Sequence, residues 1–259
     1  SIEVCILKIL VTGSNGYIGK HLCSILSEHE VYGLDIHDKN QAPNVIDYFQ
    51  RDIRKENLYI DEEFNAVIHL AARVRVNESV KKPKDYYDTN TLGTINLLRH
   101  LYYDQFIFGS TCSAAYPENP YGVSKLVAET YVEWLASDYT IFRFYNVIGS
   151  SGYSPTNEDG LFYNLMKSLE TGQIDIFGSD YDTKDGTAIR DYVHVMEICH
   201  SIKSALNNNS MKIENLGHGT GYSVEEIINC FEKSNNVTVK RNYLERRAGD
   251  PAVITLNDI

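Results

Sequence analysis

The chain has 259 residues, with 24 lysines and arginines against 35 aspartates and glutamates, which gives a formal net charge of −11 at pH 7. Apolar residues make up 43% and charged residues 23%, values that are ordinary for a globular protein and exclude a collagen, a coiled coil or a disordered chain. The length suits one large α/β unit, or a core domain with a small partner, and the acidic balance argues against nucleic acid and anionic membranes as partners.

The first half of the chain alternates short β-rich runs with helical patterns. Strands are predicted at Ile6–Val11, Val31–Asp35, Ala66–Leu70, Phe106–Phe108 and Thr140–Phe144. Helices are predicted at Tyr17–Leu26, Tyr86–Leu101 and Tyr121–Ala136. Because such alternation implies βαβ units, we predict an α/β fold with a doubly wound parallel (Rossmann) sheet covered by helices on both faces.

After Asn146 the composition of the sequence changes, and Ser, Gly, Pro, Asn and Asp become frequent. A loop, a helix and a short strand are predicted at 149–160, Leu161–Leu169 and Ile174–Phe177. Ser223 and Glu226 form a capping box ahead of an amphipathic run to Phe231. We therefore predict a smaller C-terminal α+β lobe that leans on the Rossmann domain. The predicted division gives 1–146 and about 187–207 to the Rossmann domain, and 147–186 and 208–259 to the lobe.

Three further classes of feature are missing from the sequence. No stretch approaches the roughly 18 apolar residues of a membrane span, and the run Val4–Val11 lacks the features of a signal peptide. The five cysteines contain no Cys-x-x-Cys pair, which predicts reduced thiols in a cytoplasmic protein. The eight histidines lack metal-ligand spacing, so no metal site is expected.

A glycine-rich loop, Thr12-Gly13-Ser14-Asn15-Gly16-Tyr17-Ile18-Gly19, connects the first predicted strand to the first helix. Its glycines permit a tight turn and let backbone N–H groups approach a pyrophosphate at the positive end of the helix. Asp35 ends the next strand, where an acid accepts hydrogen bonds from the adenosine ribose and repels a 2′-phosphate. The sequence therefore predicts NAD rather than NADP, and the alternative is a glycine turn beside a solvated acid.

The pattern Tyr-x-x-x-Lys occurs twice, at Tyr121/Lys125 and at Tyr163/Lys167, and its position decides between the two. Tyr121 begins a helix shortly after a strand that ends in the run 110–113, Ser-Thr-Cys-Ser. Residues four apart share one helix face, and this face meets the carboxyl ends of parallel strands, where ligands bind. The second pair is interpreted as part of a surface helix.

The Tyr121/Lys125 pair suits acid–base chemistry on a hydroxyl group. Moving the pKa of a phenol from about 10 to near 7 requires about 4 kcal/mol. One cation about 4 Å away, at an effective dielectric constant near 20, supplies about 4 kcal/mol. We therefore predict that Lys125, helped by the positive nicotinamide, lowers the pKa of Tyr121 and makes it a base for a sugar hydroxyl.

Further stretches extend these motifs over nearly the whole chain. In the first half they are Arg51-Asp52-Ile53, His69-Leu70-Ala71-Ala72, Asn77-Glu78-Ser79-Val80, Asn90-Thr91-Leu92-Gly93-Thr94, Asn119-Pro120-Tyr121-Gly122 and Arg143-Phe144-Tyr145-Asn146. In the second half they are Ile176-Phe177-Gly178, Asp185-Gly186-Thr187, Arg190-Asp191-Tyr192-Val193-His194-Val195, Asn215-Leu216-Gly217 and Arg246-Arg247-Ala248-Gly249-Asp250. With these stretches the chain resembles the extended short-chain dehydrogenase/reductase family, and within it the UDP-glucose 4-epimerases.

The resemblance implies a role for each matching residue. Tyr121 would be the base, Lys125 would bind the nicotinamide ribose and tune the phenol, and Thr111 would hydrogen-bond the sugar 4-oxygen. NAD would be bound by Gly13, Asn15, Gly16, Tyr17, Ile18, Gly19, Asp35, Asp52, Ile53, Leu70, Ala71, Ala72, Asn90, Lys125 and Tyr145. The UDP-sugar would be bound by Thr111, Tyr121, Asn146, Asn164, Ile174, Phe177, Arg190, Arg247 and Asp250. Two arginines suit a diphosphate, because guanidinium groups pair bidentately with phosphate oxygens.

The implied activity is NAD-dependent epimerisation at C4 of a UDP-hexose, UDP-galactose/UDP-glucose, through a 4-keto intermediate, with NAD tightly bound and regenerated each turnover. An epimerase of another UDP-sugar (an N-acetylhexosamine, a uronate or a pentose) and a catalytically silent NAD-binding regulatory protein stay open as alternatives. Related sugar-nucleotide 4,6-dehydratases carry an acid directly after the Ser/Thr, whereas Cys112 and Ser113 follow Thr111 here. The resemblance also implies a homodimer formed through the helices around Tyr86–Leu101 and Tyr121–Ala136.

The chain departs from this family in length. Only Ala114–Asn119 separates the Thr111 segment from Pro120-Tyr121, where family members have a longer loop. The convergence of Thr111 and Tyr121 therefore depends on how this short connection folds.

Overall fold

The computed structural model describes residues 5–55, 58–206, 208, 211–247 and 249–258; Ala248 of the arginine motif and the predicted domain limits at 1, 207 and 259 lie outside the described residues. Its strands are β1 (Lys8–Thr12), β2 (Glu30–Asp35), β3 (Val45–Gln50), β4 (Glu63–His69), β5 (Tyr102–Thr111), β6 (Tyr139–Phe144), β7 (Asn146–Ile148), β8 (Gln173–Phe177), β9 (Ile189–His194), β10 (Lys212–Leu216), β11 (Gly221–Ser223), β12 (Lys240–Leu244) and β13 (Val253–Ile254). Its α-helices are α1 (Tyr17–Ile25), α2 (Val76–Lys81), α3 (Pro83–Tyr86), α4 (Gly93–His100), α5 (Pro120–Leu135), α6 (Leu161–Thr171), α7 (Val195–Ala205) and α8 (Val224–Asn235).

Seven parallel strands form the large sheet, in the order β10-β6-β5-β4-β1-β2-β3. The strand order reverses between β1 and β4, and the carboxyl ends of strands beside such a switch point are where ligands bind in doubly wound folds. The predicted doubly wound parallel sheet is confirmed.

Alternating side chains of the sheet build two cores, one on each face. Ile9 packs on one face with Leu22 of α1 and Ile198 of α7. Its neighbour Leu10 points to the other face, where Val132 of α5 contributes to the second core. Each fully buried aliphatic side chain stabilises the fold by about 1.5–3 kcal/mol, so the two cores fix the helices, and with them the loops at the sheet edge.

A smaller core lies in the C-terminal part of the chain. Its buried members are Leu165 of α6, Ile174 and Ile176 of β8, Ile228 of α8, and Val239, which directly precedes β12, the parallel neighbour of β8. The predicted capping box is confirmed, because the Ser223 hydroxyl accepts from the Glu226 N–H and the Glu226 carboxylate accepts from the Ser223 N–H. A third sheet places β11, β13 and β7 around β9.

The five strands predicted for the first half are all present, and their limits differ by a few residues. The predicted helix at Tyr86–Leu101 is interrupted by a π-helical segment at Tyr87–Leu92. In the large sheet the two edge strands, β3 and β10, were not predicted, because half-exposed polar side chains interrupt their apolar pattern. In the rest of the chain β7, β9, β11, β12 and β13 were not predicted either. The expectation that 208–259 lies wholly in the lobe is wrong for Lys212–Leu216, since these residues pair with β6 in the large sheet.

Candidate active site

A cavity of about 490 Å³ lies at the carboxyl edge of the large sheet, between that edge and the C-terminal lobe. Of the predicted site residues it is lined by Gly13, Gly16, Tyr17, Ile18, Gly19, Leu70, Ala72, Thr111, Tyr121, Lys125, Tyr145, Asn146, Asn164, Phe177, Arg190, Arg247 and Asp250. The fold therefore brings residues from both halves of the chain to one space.

The glycine loop forms one wall of the cavity. Gly13 has a φ of +71°, and a Cβ atom built there would lie 2.8 Å from the backbone nitrogen of Ala71. A Cβ on Gly19 would lie 2.2 Å from the carbonyl oxygen of Gly13. Only glycine fits these two positions, and the resulting backbone cradle at the start of α1 suits a pyrophosphate.

Asp35 lies at the carboxyl end of β2, directly behind the glycine loop. Its carboxylate is buried and accepts hydrogen bonds from the backbone N–H of Asn15 (3.1 Å) and from Nδ1 of His37 (2.6 Å). The Asn15 side chain in turn accepts from the N–H of Gln41 at 2.7 Å. These bonds hold a carboxylate next to the loop, the arrangement that recognises an adenosine ribose. The donor set and the backbone cradle fit a dinucleotide.

The first helix also holds the loop that follows β7. The hydroxyl of Tyr17 donates to the carbonyl oxygen of Gly149. Buried His21 donates through Nδ1 to the Tyr17 carbonyl oxygen (2.8 Å) and accepts through Nε2 from the N–H of Ser151 (2.9 Å). The ring of Tyr153 packs edge-on against His21 at 5.1 Å. One helix thus contacts both the glycine loop and the loop after β7, whose later residues line the cavity.

Thr111 and Tyr121 meet despite the short connection between them. A 3-10 turn at Cys112–Ala114 leaves β5, and the Asn119 side chain accepts from the N–H of Gly122 (3.0 Å) to cap α5, with Pro120 at its first position. The Tyr121 phenol is hydrogen-bonded to the Thr111 hydroxyl. The six-residue connection therefore suffices for the two side chains to converge.

Lys125 lies one turn after Tyr121 on the same helix face. Its ammonium group donates to the carbonyl oxygen of Gly109 (2.7 Å) and lies 4.0 Å from the centre of the Phe108 ring. The Tyr121 ring packs edge-on against Tyr86 at 6.3 Å. A phenol, an ammonium group and a hydroxyl thus lie together at the carboxyl end of β5.

Burial shifts the pKa values of this pair in opposite directions. Burial raises the pKa of Tyr121 to about 12, although the hydrogen bond with Thr111 lowers it. Burial lowers the pKa of Lys125 to about 7, against the attraction of the Glu129 carboxylate. The prediction that Lys125, helped by the positive nicotinamide, lowers the pKa of Tyr121 concerns the protein with its cofactor bound, and it stays a prediction.

The far end of the cavity carries the predicted arginines. The Arg247 guanidinium stacks on the Phe177 ring at 3.8 Å and donates to the carbonyl oxygen of Asp159 (2.9 Å), while its buried Nε has no hydrogen-bond partner among the described residues. Arg190 pairs with Asp250 at 2.5 Å. Both cations are oriented by protein contacts at this end of the cavity.

Seven predicted site residues do not line the cavity: Asn15, Asp35, Asp52, Ile53, Ala71, Asn90 and Ile174. Most lie immediately behind it. Asn90 is buried and donates to the hydroxyl of Ser124 on α5 (3.0 Å), and Asp52 pairs with Arg54 at 2.7 Å. Ile174 lies farther away, because its side chain packs in the core of the lobe, and the following residues Asp175 and Ile176 reach the cavity instead.

Three residues without a predicted role are placed as follows. His69 is buried and hydrogen-bonded at both ring nitrogens, to Thr12 (2.7 Å) and Thr94 (2.9 Å), and burial lowers its pKa well below the usual range. The Cys112 thiol lines the cavity, and burial raises its pKa. Tyr163 of the second Tyr-x-x-x-Lys pair also lines the cavity, but Lys167 is exposed, so this pair does not form a second site.

One residue that sequence reasoning missed lies behind the Tyr121/Lys125 pair. Glu129 is buried one turn beyond Lys125 and binds Ser110 and Arg143. The available signal was the acid itself, four residues after Lys125 on a helix face that otherwise packs against the sheet.

Two further observations concern metals and membranes. The described residues contain no group of three His, Cys, Asp or Glu side chains placed to hold a metal ion. None of the helices built from the described residues combines the length and apolar character that crossing a bilayer requires.

Comparison with known proteins gives consistent matches over nearly the whole chain. Residues 9–217 match the NAD dependent epimerase/dehydratase family. The UDP-glucose 4-epimerase of Haemophilus influenzae is 33% identical over 298 aligned positions, which cover 95% of this chain and 88% of that protein. Because 298 exceeds the 259 residues of this chain, the relative has segments with no counterpart here.

Solved structures agree with these matches. The crystal structure of UDP-glucose-4-epimerase from Stenotrophomonas maltophila, with bound NAD and formylated UDP-arabinopyranose, superposes with a TM-score of 0.80 at 30% identity, covering 95% of this chain and 88% of that one. The UDP-glucose 4-epimerase from Bifidobacterium longum, in complex with NAD+ and UDP, gives a TM-score of 0.81 at 27% identity, with coverages of 95% and 88%.

Proposed function

The chain belongs to the NAD dependent epimerase/dehydratase family, and from this premise we propose that it is an NAD-dependent UDP-sugar 4-epimerase that interconverts UDP-galactose and UDP-glucose. The observation that carries the proposal is the meeting of Tyr121, Thr111 and Lys125 on the wall of a cavity that extends from the glycine loop to Arg247. A dinucleotide at one end and a nucleoside diphosphate sugar at the other would both reach this trio.

The residues that would bind NAD are the glycine loop, with Gly13 and Gly19 beneath the pyrophosphate, and Asp35 at the adenosine ribose. When bound, NAD supplies a reversible hydride acceptor and a positively charged ring. Binding of a cation favours the phenolate form of Tyr121, whose pKa is about 12 in the protein alone.

The proton of the sugar 4-hydroxyl passes to the Tyr121 oxygen as the C4–H bond breaks, and it returns from that oxygen when the C–H bond forms on the opposite face. The Thr111 hydroxyl, hydrogen-bonded to the same phenol, holds the sugar oxygen in line for both transfers. Lys125, fixed on the Gly109 carbonyl, provides positive charge beside the phenolate. Because the group that takes the proton also returns it, the residues act identically in either direction.

The proposal favours return of the hydride over elimination. Cys112 and Ser113 line the cavity directly after Thr111, so no carboxyl group stands there to remove water from the sugar. A thiol with a raised pKa is a poor acid–base catalyst near neutral pH. This supports an epimerase over a dehydratase within the family.

Arg247 is the residue we propose as the main contact of the diphosphate. Replacing it with glutamine should raise KM for UDP-galactose by about 10- to 150-fold, since a hydrogen bond to a charged group contributes about 1.5–3 kcal/mol, while kcat should change little. Arg246→Gln is the matched control: its side chain pairs with Asp180 at 2.7 Å. Equal KM values for the two variants would contradict the assignment of Arg247.

The function itself is tested by proton NMR of UDP-galactose incubated with the purified protein and no added cofactor. A growing anomeric signal of UDP-glucose, reaching a stable mixture, is the expected result and also reports retained NAD. A spectrum that stays unchanged even with added NAD would contradict the proposed substrate. A panel of UDP-N-acetylhexosamine, UDP-uronate and UDP-pentose then tests the alternatives, and inactivity on all of them would favour the silent NAD-binding protein.

We further propose a cytoplasmic homodimer in which 1–146 with about 187–207 bind the cofactor, and 147–186 with 208–259, apart from Lys212–Leu216 in the large sheet, bind the substrate. The described cysteines are all free thiols, which supports a reducing compartment. Exposed apolar side chains on the helices expected to pair, Leu92 at 50%, Trp134 at 74% and Leu135 at 47% exposure, support a subunit interface there. Light scattering of the protein as it elutes from a size-exclusion column measures its mass: the mass of two chains would support the homodimer, and the mass of one chain would contradict it.

A further inference from the structure

One carboxylate that the mechanism does not use lies directly behind the catalytic pair. Glu129 is on α5, one turn after Lys125, and is 1% exposed. Its carboxylate accepts hydrogen bonds from the Ser110 hydroxyl (2.5 Å) and from Nη2 and Nε of Arg143 (2.6 and 3.0 Å). A buried charge is tolerated only when it is paired and hydrogen-bonded, and here both conditions are met.

The partners of Glu129 belong to the two strands beneath the helix. Ser110 is on β5, between Gly109, whose carbonyl accepts from Lys125, and Thr111, which is bonded to Tyr121. Arg143 is on β6, paired in register with Ser110. The carboxylate therefore joins the helix that carries the base and the lysine to the strand that carries the hydroxyl.

The register between α5 and β5 determines whether these groups meet. Sliding a helix by one residue moves each of its side chains by about 1.5 Å. A misplacement of about 1 Å is enough to lower a rate by about 100-fold. The Tyr121–Thr111 and Lys125–Gly109 contacts form together only in the observed register, and the Glu129–Ser110 bond is a third contact between the same two elements.

We propose that Glu129 is a positioning residue for epimerisation, which holds α5 in register with β5 and places a fixed negative charge behind the Lys125 ammonium group. The inference rests on the proposed function. The carboxylate also opposes the effect of burial on the pKa of Lys125, which supports the second part of the role.

The other charged or titratable groups near Lys125 and Glu129 come from the adjoining elements. They are Tyr121 and Glu133 on α5, His69 on β4, Cys112 after β5, and Arg143 and Tyr145 on and after β6. Of these, Arg143 is positively charged and forms an ion pair with the Glu129 carboxylate.

The test is Glu129→Gln in the enzyme as purified with its nucleotide, assayed for conversion of UDP-galactose. Glutamine keeps the shape but removes the charge, so kcat should fall by about 10- to 100-fold with KM nearly unchanged. The acid limb of the kcat–pH profile should move to higher pH by about one unit, because a less readily protonated Lys125 favours the phenolate less. Ser110→Ala, which keeps the ion pair, should lower kcat without moving the limb.

Glu232→Gln is the matched control. Glu232 accepts from Nη1 of Arg241 at 2.7 Å in the lobe, far from the trio, and its loss should lower Tm without changing the pH profile. A Glu129→Gln enzyme with the parent kcat and parent profile would overturn the inference, and so would a loss of Tm alone. If Glu129→Gln does not fold, the double variant Glu129→Gln/Arg143→Gln, which leaves no unpaired charge, gives the same readout.

The parent enzyme separates the two proposals. A parent that leaves UDP-galactose unchanged overturns the proposed function and this inference together. An active parent with an unaffected Glu129→Gln variant overturns the inference alone.

Discussion

Replacing Tyr121 with phenylalanine will reduce the interconversion of UDP-galactose and UDP-glucose by about 100- to 10,000-fold, the range that a positioned acid–base group contributes. Among the described residues, the phenol and the Cys112 thiol are the ionisable groups that interact with Thr111; burial raises the pKa of Cys112, and Lys125 is already bonded to the Gly109 carbonyl. The trio contains no second phenol and no carboxyl group that could take the proton in its place. Rates from NMR, divided by the concentration of protein that contains NAD, measure the loss.

The variant should keep its fold and its nucleotide. Phenylalanine preserves the ring that packs on Tyr86 and loses only the bond to Thr111, which costs about 1 kcal/mol of the free energy of unfolding. Tyr116→Phe is the control, because that ring is 63% exposed. If Tyr121→Phe retains more than a tenth of the parent rate, another group carries the proton. If both the rate and the NAD are lost, the residue is structural.

Gly19→Ala should deprive the protein of NAD and lower its stability by about 1–3 kcal/mol or more, the cost of forcing an extra carbon into a packed site. The added Cβ would lie 2.2 Å from the Gly13 carbonyl oxygen and 2.8 Å from that of Ser14. Both neighbours are backbone atoms, so no side chain can swing aside. Either α1 or the loop must shift, and the pyrophosphate cradle is lost with it.

The measurement is the nucleotide released from the purified variant on denaturation, together with Tm. Lys20→Ala, the next position of the same helix, is the control, since alanine favours a helix and Lys20 only contacts Gln41 at the surface. A Gly19→Ala protein with one NAD per chain and the parent Tm would show that the loop is not the cradle described above.

The sequence sufficed to predict the layered architecture because buried parallel strands contain continuous apolar runs, such as Ile9–Val11 in β1, Ala66–Ile68 in β4 and Phe106–Phe108 in β5. It did not suffice for β3 and β10, whose outer position in the sheet leaves polar side chains half-exposed. The same reasoning explains Ile174: alternation along β8 is visible in the sequence, but which neighbour faces the cavity depends on how α6 and α8 cover the strand.

The site shows a similar division. The positions of Tyr121, Lys125 and Thr111 followed from helix and strand periodicity, since each depends on local geometry. Their ionisation did not, because burial acts on the two groups in opposite directions and is set by distant parts of the chain. Glu129 was missed for the same reason: its partners Ser110 and Arg143 are 19 and 14 residues away in sequence.

Helix α1 connects the two ligand sites mechanically. Its first turn begins at the glycine loop, and Tyr17 and His21 are hydrogen-bonded to Gly149 and Ser151 of the loop after β7, whose later residues line the cavity. A ligand that orders α1 at one of these two loops therefore also orders the helix that contacts the other loop. Coupling free energies are reciprocal. The factor by which bound NAD changes the affinity for a UDP-sugar must therefore equal the factor by which the bound UDP-sugar changes the affinity for NAD.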